Sequence, residues 1–351
     1  MNSFPLLKVL SIILFSGSIV GSCANKSYNE RMDDIKADIE LIPTEKYQKY
    51  ANTITIEDLK EHVFELSSPF YEGRKVGTKG QKRAANYLVN YYKEYAIKSA
   101  LDSTYFQSIP GSFFKKDYKD SENVIAYIEG TDFPDEYIVI TGHFDHEGIS
   151  EKGEIFIGAD DNNSGTSALL EIAEAFKIAC DEGKCPRRSV VFMHFTAEEI
   201  GLFGSKYYTE NPIFPLEQTL ACLNLDMVGR IDNRYIDKQE SDYLYLIGSD
   251  RLSHELHFLS IGINEAFTQL NLDFTYNEPD DRNRYYYRSD HYNFAKNNIP
   301  SIFYFNGVHD DYSKITDTPD KIDLPLLLKR TQFVFATAWQ LANQNNRLSL
   351  D

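Results

Sequence analysis

The sequence has little positive charge and no repeats. Its 36 lysine and arginine residues stand against 53 aspartate and glutamate residues, which gives a net charge of −17. Because nucleic-acid binding requires basic patches that neutralise phosphates, we expect no nucleic-acid partner. Fixed-period repeats and low-complexity tracts are absent, and the 42% hydrophobic content is enough to bury a sizeable core. These features predict an acidic globular protein.

Cysteine is also scarce, with four residues in the whole chain. Their positions do not fit a structural zinc site, which usually needs four cysteine and histidine ligands. Cys180 and Cys185 flank a short loop and could form a local disulfide in an exported protein. Cys222 lies in an apolar segment, which predicts a buried free thiol.

The N-terminus has the features of an export signal. The apolar run at 9–15 is shorter than the ~20 residues of a membrane span but fits the core of a signal peptide. The small-residue stretch that follows ends in Cys23, which resembles a bacterial lipoprotein signal. We therefore predict that residues 1–22 are removed and that lipidated Cys23 anchors the protein in the cell envelope, at the periplasmic face or the cell surface. An ordinary secretory signal with an incidental cysteine is the alternative. Residues 23–54 are predicted to be a polar tether, and residues 55–351 a single domain.

Strand and helix signals alternate within this domain. Residues 137–141 form a continuous apolar run, typical of a strand that is buried on both faces. Residues 164–179 carry apolar side chains at helical spacing, and one of residues 162–164 can cap that helix. Such alternation predicts an α/β fold with three layers, in which helices cover both faces of a mostly parallel, mixed central sheet.

Metal-ligand side chains follow the predicted strands. His143 and Asp145 close one strand and share a face, because residues two apart on a strand point the same way. We predict that His143 binds a metal while Asp145 accepts its other ring N–H. His146 is a rival ligand, but strand alternation places it on the opposite face.

Acidic residues stand near three further strand or helix ends. Asp161 precedes a helix, and the Asn-Asn-Ser-Gly segment that follows it suits a tight turn that delivers Asp161 into a crevice. Asp226 is a lone charge in an apolar strand, which is costly without a partner or metal. Glu198 and Glu199 are adjacent and cannot both easily face one metal. One is predicted to be a ligand and the other a base for metal-activated water. Because an open α/β sheet binds ligands at strand ends, the pattern predicts a metal-dependent hydrolase.

The motifs also resemble a known family. The ordered set GHFDH, GADDNNSG, TAEEIGLFGS, NLDMVGR and SDHYNF, with the segments at 72–88 and 311–323, resembles the family-28 metallopeptidases. These are dizinc aminopeptidases with a zinc-peptidase fold, and the family also contains glutaminyl cyclases. The resemblance covers about residues 55–345 and implies hydrolysis of peptides that have a free N-terminus.

Carried over position by position, the resemblance implies two zinc ions per chain. His143, Asp161 and Asp226 would hold one ion. Asp161, Glu199 and His291 would hold the other, so that Asp161 bridges the two.

The resemblance also assigns the remaining roles in the site. It implies that Glu198 is the general base and that Asp145 orients His143. The chain departs from the family at Ser313, where many relatives have histidine after Asp-Tyr, and we expect this change to affect only the pocket rim.

Alternative functions stay open at this point. A glutaminyl cyclase of the same fold would use one zinc. A carboxypeptidase would need a basic group for the substrate carboxylate, which Arg282, Arg284 or Arg288 could supply. A non-catalytic binding protein is disfavoured, because all five implied ligands are present. The tyrosines at 285–287 either wall an aromatic pocket or pack onto their own loop.

Overall fold

The computed structural model describes residues 26–115 and 118–351. The predicted signal peptide and Cys23 lie outside the described residues. In the described ranges, no helix has both the length and the apolar character needed to span a membrane.

The described residues form ten α-helices and eleven strands. The helices are α1 Tyr28–Ala37, α2 Gln48–Ala51, α3 Ile56–Leu66, α4 Lys79–Glu94, α5 Gly165–Asp181, α6 Phe203–Glu210, α7 Asn233–Lys238, α8 His254–Ala266, α9 His291–Ala295 and α10 Leu324–Asn343. The strands are β1 Lys98–Ser99, β2 Phe106–Ile109, β3 Ser121–Ile128, β4 Phe133–His143, β5 Gly148–Ile149, β6 Ile155–Phe156, β7 Arg188–Phe195, β8 Thr219–Leu225, β9 Tyr243–Ile247, β10 Asn271–Asp273 and β11 Ser301–Phe305.

Nine of these strands form one mixed sheet. Their order is β1-β3-β7-β4-β8-β11-β9-β10, and β2 pairs with β3. The central strands β7, β4, β8 and β11 run parallel to one another. Antiparallel pairing begins where β3 meets β7 and where β9 meets β11. The predicted mixed sheet is confirmed, and its parallel pairing is concentrated at the centre.

Side-chain alternation along the strands separates two packed layers. Ile138 and Ile140 of β4 face a cluster that includes residues of α5 and α10, whereas Val139 between them faces a cluster with Tyr208 of α6 and Phe294 of α9. Successive residues of a strand point to opposite faces, so each face of the sheet is covered by helices. This arrangement is the predicted three-layer architecture.

The packed domain begins before residue 55. Four residues of the predicted tether are buried in the main core: Tyr47, Tyr50, Ala51 and Ile54. The Tyr50 ring stacks on Trp339 of α10, with 5.4 Å between ring centroids. Helix α1, by contrast, has no buried residue. The polar composition of this segment obscured its aromatic anchors, which belong with the domain.

The three cysteines in the described ranges take the expected states. Cys180, near the end of α5, forms a disulfide with Cys185. Cys222 is a buried free thiol on β8, and burial raises its pKa above the ordinary value. The thiol is therefore held in its protonated form.

Candidate metal centre

The carboxyl ends of three parallel strands meet at one edge of the sheet. Strand β4 ends at His143, β8 ends directly before Asp226, and β7 ends three residues before Glu198. Strand β4 lies between β7 and β8. Connections that leave neighbouring strands in this way open a crevice at the strand ends. The three residues therefore face a common space.

Asp161 reaches this crevice on an irregular turn before α5. Its backbone N–H donates to Asp317 Oδ2 at 3.1 Å. The next side chain, Asn162, donates to the Leu225 carbonyl at 2.9 Å and accepts from the Gly165 N–H at 3.0 Å. A Cβ at Gly165 would lie 2.4 Å from the Leu225 oxygen, so only glycine permits this approach. The turn is thereby tied to the end of β8. The N-cap position of α5 is Ser164, which forms no side-chain capping bond, and the Asn162 side chain accepts from the first N–H of the helix instead.

His143 lies at the centre of the arrangement. Its Nε2 atom is 3.2 Å from Asp161 Oδ1 and 3.3 Å from Asp226 Oδ1. One ligand atom from each of His143, Asp161 and Glu199 lies within 4.8 Å of the other two. Asp226 Oδ2 also accepts from Ser289 Oγ at 2.6 Å, which fixes that carboxylate. The structure thus brings four of the five predicted ligands to one place.

Asp145 braces the site, but through different atoms from those expected. His143 Nδ1 lies 3.2 Å from the Asp145 carbonyl oxygen and 3.8 Å from its carboxylate. The carboxylate instead accepts from the Glu198 backbone N–H at 3.1 Å. The strand ends at His143, so the backbone beyond it is free to turn its own carbonyl towards the ring. Burial raises the pKa of Asp145 to about 7, and His143 opposes this shift.

His146 contacts the site, contrary to the expectation from strand alternation. Its Nδ1 atom lies 2.6 Å from Glu199 Oε1, and the residue is buried. Because β4 stops at His143, the two-residue period does not extend to His146. Burial lowers the pKa of His146 to about 4, so the ring is neutral and can donate Nδ1–H to the carboxylate.

His291 lies beside the cluster rather than within it. It opens α9, is fully buried and stacks on Phe303, with 5.0 Å between the ring centroids. Neither ring nitrogen has a hydrogen-bond partner in the described part of the chain. Among those residues, no set of three close ligand atoms includes His291. Its role as a ligand stays a prediction.

The crevice carries an excess of negative charge, and this charge bears on whether the side chains fit a metal ion. One cleft, with about 380 Å³ of empty space, is lined by four acidic side chains: Asp161, Glu198, Glu199 and Asp226. Desolvation raises the pKa of Glu198 well above its ordinary value and that of Glu199 to about 7, although His143 opposes both shifts. Carboxylates crowded together away from water require a counter-charge. Oxygen and imidazole ligands of this kind suit zinc, so the residues fit a metal.

A second polar network behind the turn was not anticipated. Asp160 Oδ1 accepts from the Gly229 N–H at 2.7 Å, and its Oδ2 lies 3.1 Å from His309 Nε2. Burial favours the neutral ring, but the hydrogen bond to Asp160 raises the pKa of His309 overall. Asp317 accepts from the backbone N–H groups of both Asp160 and Asp161. The sequence signal for this network was the pair of adjacent aspartates in GADD. Only one of them was needed as a metal ligand, so the other was free to have a structural role.

The three tyrosines divide between the two expected roles. Tyr285 lines the cleft. Tyr286 packs edge-on against His291, at 5.6 Å between centroids, and Tyr287 is exposed. The aromatic wall therefore uses one tyrosine of the three, together with Phe303 and Phe305.

A comparison with known protein families assigns the chain to one of them. The family model described as peptidase family M28 matches residues 123–338, more than half of the chain. The chain belongs to peptidase family M28. This membership confirms the resemblance found in the motifs and places the protein among peptidases.

Similar proteins include carboxypeptidases and aminopeptidases. The chain is 38% identical over 106 residues to "Probable glutamate carboxypeptidase LAMP1" of Arabidopsis thaliana, covering 30% of this chain and 14% of that protein. It is 38% identical over 109 residues to "Aminopeptidase NAALADL1" of Mus musculus, covering 30% and 14%. It is 28% identical over 225 residues to "Aminopeptidase YwaD" of Bacillus subtilis, covering 62% and 44%. The chain thus matches less than half the length of each of these relatives.

Solved structures confirm the fold of this M28 protein. The LapA aminopeptidase of Legionella pneumophila superposes with a TM-score of 0.68 at 19% identity, covering 88% of this chain and 78% of that one. The zinc aminopeptidase BSAP of Bacillus subtilis gives 0.64 at 16% identity, covering 83% and 96%. A glutaminyl cyclase of Bacteroides thetaiotaomicron gives 0.63 at 18% identity, covering 82% and 98%. The same fold therefore serves more than one chemistry, and the site residues must decide between them.

Proposed function

We propose that this M28 protein is a zinc-dependent aminopeptidase that cleaves the peptide bond after a free N-terminal residue. The observation that carries the proposal is the convergence of His143, Asp161 and Glu199, with ligand atoms within 4.8 Å of one another. Asp226 contacts His143, and Glu198 lines the same cleft. Relatives named as aminopeptidases in two kinds of comparison support this activity.

The proposed enzyme holds two zinc ions. His143, Asp161 and Asp226 would bind one, and Asp161, Glu199 and His291 the other. The position of Asp161, which lies close to His143 and to Glu199, supports a shared carboxylate. A bound zinc ion supplies Lewis acidity, which polarises a carbonyl group and makes water a stronger acid.

Glu198 is the proposed general base. Its backbone is held by Asp145, and its carboxylate lines the cleft. In the reaction, the water oxygen attacks the scissile carbonyl carbon while a Glu198 carboxylate oxygen takes the water proton. The same proton then passes to the amine nitrogen as the C–N bond breaks.

The apolar side of the cleft would receive the side chain of the N-terminal residue. It is built from Met227, Phe303, Phe305 and Val308. Such a wall excludes water from the reacting groups and strengthens the electrostatic interactions there.

Metal analysis and substrate assays test this proposal together. Purified protein should contain zinc and release coumarin from aminoacyl-coumarin substrates, and a chelator should abolish the activity until zinc is restored. N-acetylated substrates should be resistant. Pyroglutamate formation from N-terminal glutamine would instead indicate a cyclase, and cleavage of N-blocked peptides a carboxypeptidase.

The cellular location of the protein is a separate part of the proposal. The apolar run at 9–15 and the small-residue stretch before Cys23 support lipid anchoring in the cell envelope. Cells grown with labelled palmitate should yield labelled protein, and Cys23→Ala should remove the label. An unlabelled wild type would indicate an ordinary secretory signal instead.

A further inference from the structure

A buried chain of polar side chains leads from the centre of the sheet to Asp226. Thr141 of β4 and Asn224 of β8 are partners across the two parallel strands, and Ser289 lies two positions before α9. All three side chains are buried. The Thr141 hydroxyl donates to Asn224 Oδ1 at 2.7 Å, and Asn224 Nδ2 donates to Ser289 Oγ at 2.8 Å. Ser289 Oγ then donates to Asp226 Oδ2 at 2.6 Å, so the chain ends on a proposed zinc ligand.

The surroundings of Asn224 are apolar. Cys222, two positions earlier on β8, belongs to a cluster that includes Val139 and Phe294. Asn224 points to the same face, because residues two apart on a strand share a face. A buried amide is costly there unless its polar atoms are paired, and both atoms of this amide are paired. An apolar side chain would need no such partners, which indicates that the amide does more than fill space.

The number of protons fixes the direction of each hydrogen bond in the chain. A hydroxyl group has one proton, and an ionised carboxylate can only accept. Ser289 therefore gives its proton to Asp226, and Asn224 has to present its N–H side to the serine. Since an N–H group cannot accept, Asn224 in turn prevents the serine proton from pointing back along the chain. Thr141 holds the amide in this orientation by donating to its oxygen.

The direction of the chain determines which oxygen of Asp226 is left for a metal. Ser289 occupies Oδ2, whereas Oδ1 lies 3.3 Å from His143 Nε2, on the side of the other proposed ligands. A carboxylate held in this way offers one oxygen in a fixed direction. Such a ligand matches zinc, which has few ligands and short bonds to oxygen.

We propose that Asn224 is a positioning residue for zinc binding, and that it acts through Ser289 to turn Oδ1 of Asp226 towards the metal. This inference rests on the proposed zinc site. It extends the contact between Ser289 and Asp226 by naming the side chain that decides where the serine proton points.

A double-mutant cycle tests this inference, with zinc affinity as the measured quantity. Competition with a chromophoric chelator follows the most tightly held ion. Asn224→Ala should weaken its binding by about tenfold, the lower end of the range for groups that orient a metal ligand. In a Ser289→Ala background the same substitution should have little further effect, because the serine is the link to Asp226. Two residues that act independently would instead give losses that multiply.

Asn264→Ala is the matched control. Asn264 of α8 is also buried, and its amide is paired with Thr268 and Leu270. The substitution removes buried hydrogen bonds of the same kind but should leave zinc affinity at the wild-type value. Thermal unfolding shows whether each variant is folded.

Thr141→Val provides a second route if Asn224→Ala does not fold. It keeps the size of the side chain and removes the hydroxyl that orients the Asn224 amide. We expect a smaller loss of zinc affinity than for Asn224→Ala, and this loss should also disappear in the Ser289→Ala background.

The outcomes separate this inference from the proposed function. Wild-type zinc affinity in folded Asn224→Ala, or losses that multiply in the double variant, would overturn the role of Asn224 while the zinc aminopeptidase stands. An equal loss in Asn264→Ala would show a general effect of destabilisation and would also overturn that role. A wild-type protein that binds no zinc would overturn both proposals.

Discussion

The two sides of the candidate metal centre are built from different kinds of structure. On the strand side, His143 ends β4 and Asp226 follows β8, and their ligand atoms are 3.3 Å apart. On the loop side, Glu199 follows a turn after β7, and His291 starts the five-residue helix α9. Asp161 lies between the two sides. The strand side is held by the hydrogen bonds of the sheet, whereas the loop side depends on individual side-chain contacts.

This difference shows how firmly the fold positions each proposed ligand. His143 and Asp226 lie close together because neighbouring parallel strands fix their relative positions. Glu199 is held by a single buried partner, His146. His291 has no hydrogen-bond partner within the described residues, and its ring is held by aromatic packing against Phe303 and Tyr286. We therefore expect tighter metal binding on the strand side.

The largest expected effect comes from the residue that joins the two sides. Asp161→Asn should lose most of the zinc from both sides and reduce turnover to background, because the proposed shared carboxylate would offer its negative charge and an oxygen to each ion. Zinc per chain, measured by mass spectrometry, and hydrolysis of leucyl-coumarin check this expectation. Wild-type zinc content in Asp161→Asn would show that the two sides do not share this residue.

The adjacent glutamates should respond in opposite ways. Glu198→Gln should keep its zinc but lower kcat by about 10²- to 10⁴-fold, the range expected for loss of a general base. Glu199→Gln should lose zinc from the loop side. Each variant is the control for the other, since the substitutions are identical and adjacent. Unchanged activity in Glu198→Gln would remove the proposed base.

Substitutions of His143 and His291 directly test the comparison between the strand side and the loop side. Graded chelator should remove zinc from the wild-type protein in two steps, the first from the loop side. His291→Ala should abolish the first step and keep the tightly bound ion, whereas His143→Ala should lose the second step. A His291→Ala protein with the wild-type chelator titration would show that His291 is not a ligand.

Local patterns in the sequence predicted the strand side well. The apolar run of β4 and the lone charge at the end of β8 placed His143 and Asp226, because strand periodicity is a property of neighbouring residues. The mixed sheet and its covering helices followed from the same patterns. The prediction for His146 was wrong because it extended the alternation of side chains past the end of β4, where the backbone no longer follows the strand period.

Long-range contacts were the other part that the sequence did not reveal. Asp317 holds the turn of Asp161 although 156 positions separate them, and no periodic pattern links two such sites. The burial of Tyr47 and Tyr50 likewise depends on helices far along the chain, so a polar segment appeared to be a tether. In both cases the contact is created by the tertiary fold.

The smallest expected effect concerns the partner of Glu199. His146→Ala should weaken zinc binding on the loop side by about 10- to 100-fold, the range for loss of a group that orients a metal ligand. The strand side should keep its affinity, since His146 contacts Glu199 and not Asp226. His146→Asn is the matched variant, because its side-chain amide can donate from nearly the position of Nδ1. Competition with a chromophoric chelator measures both variants. If asparagine restores most of the affinity that alanine loses, the hydrogen bond is what holds the loop side; equal affinity in His146→Ala and the wild type would show that Glu199 needs no such support.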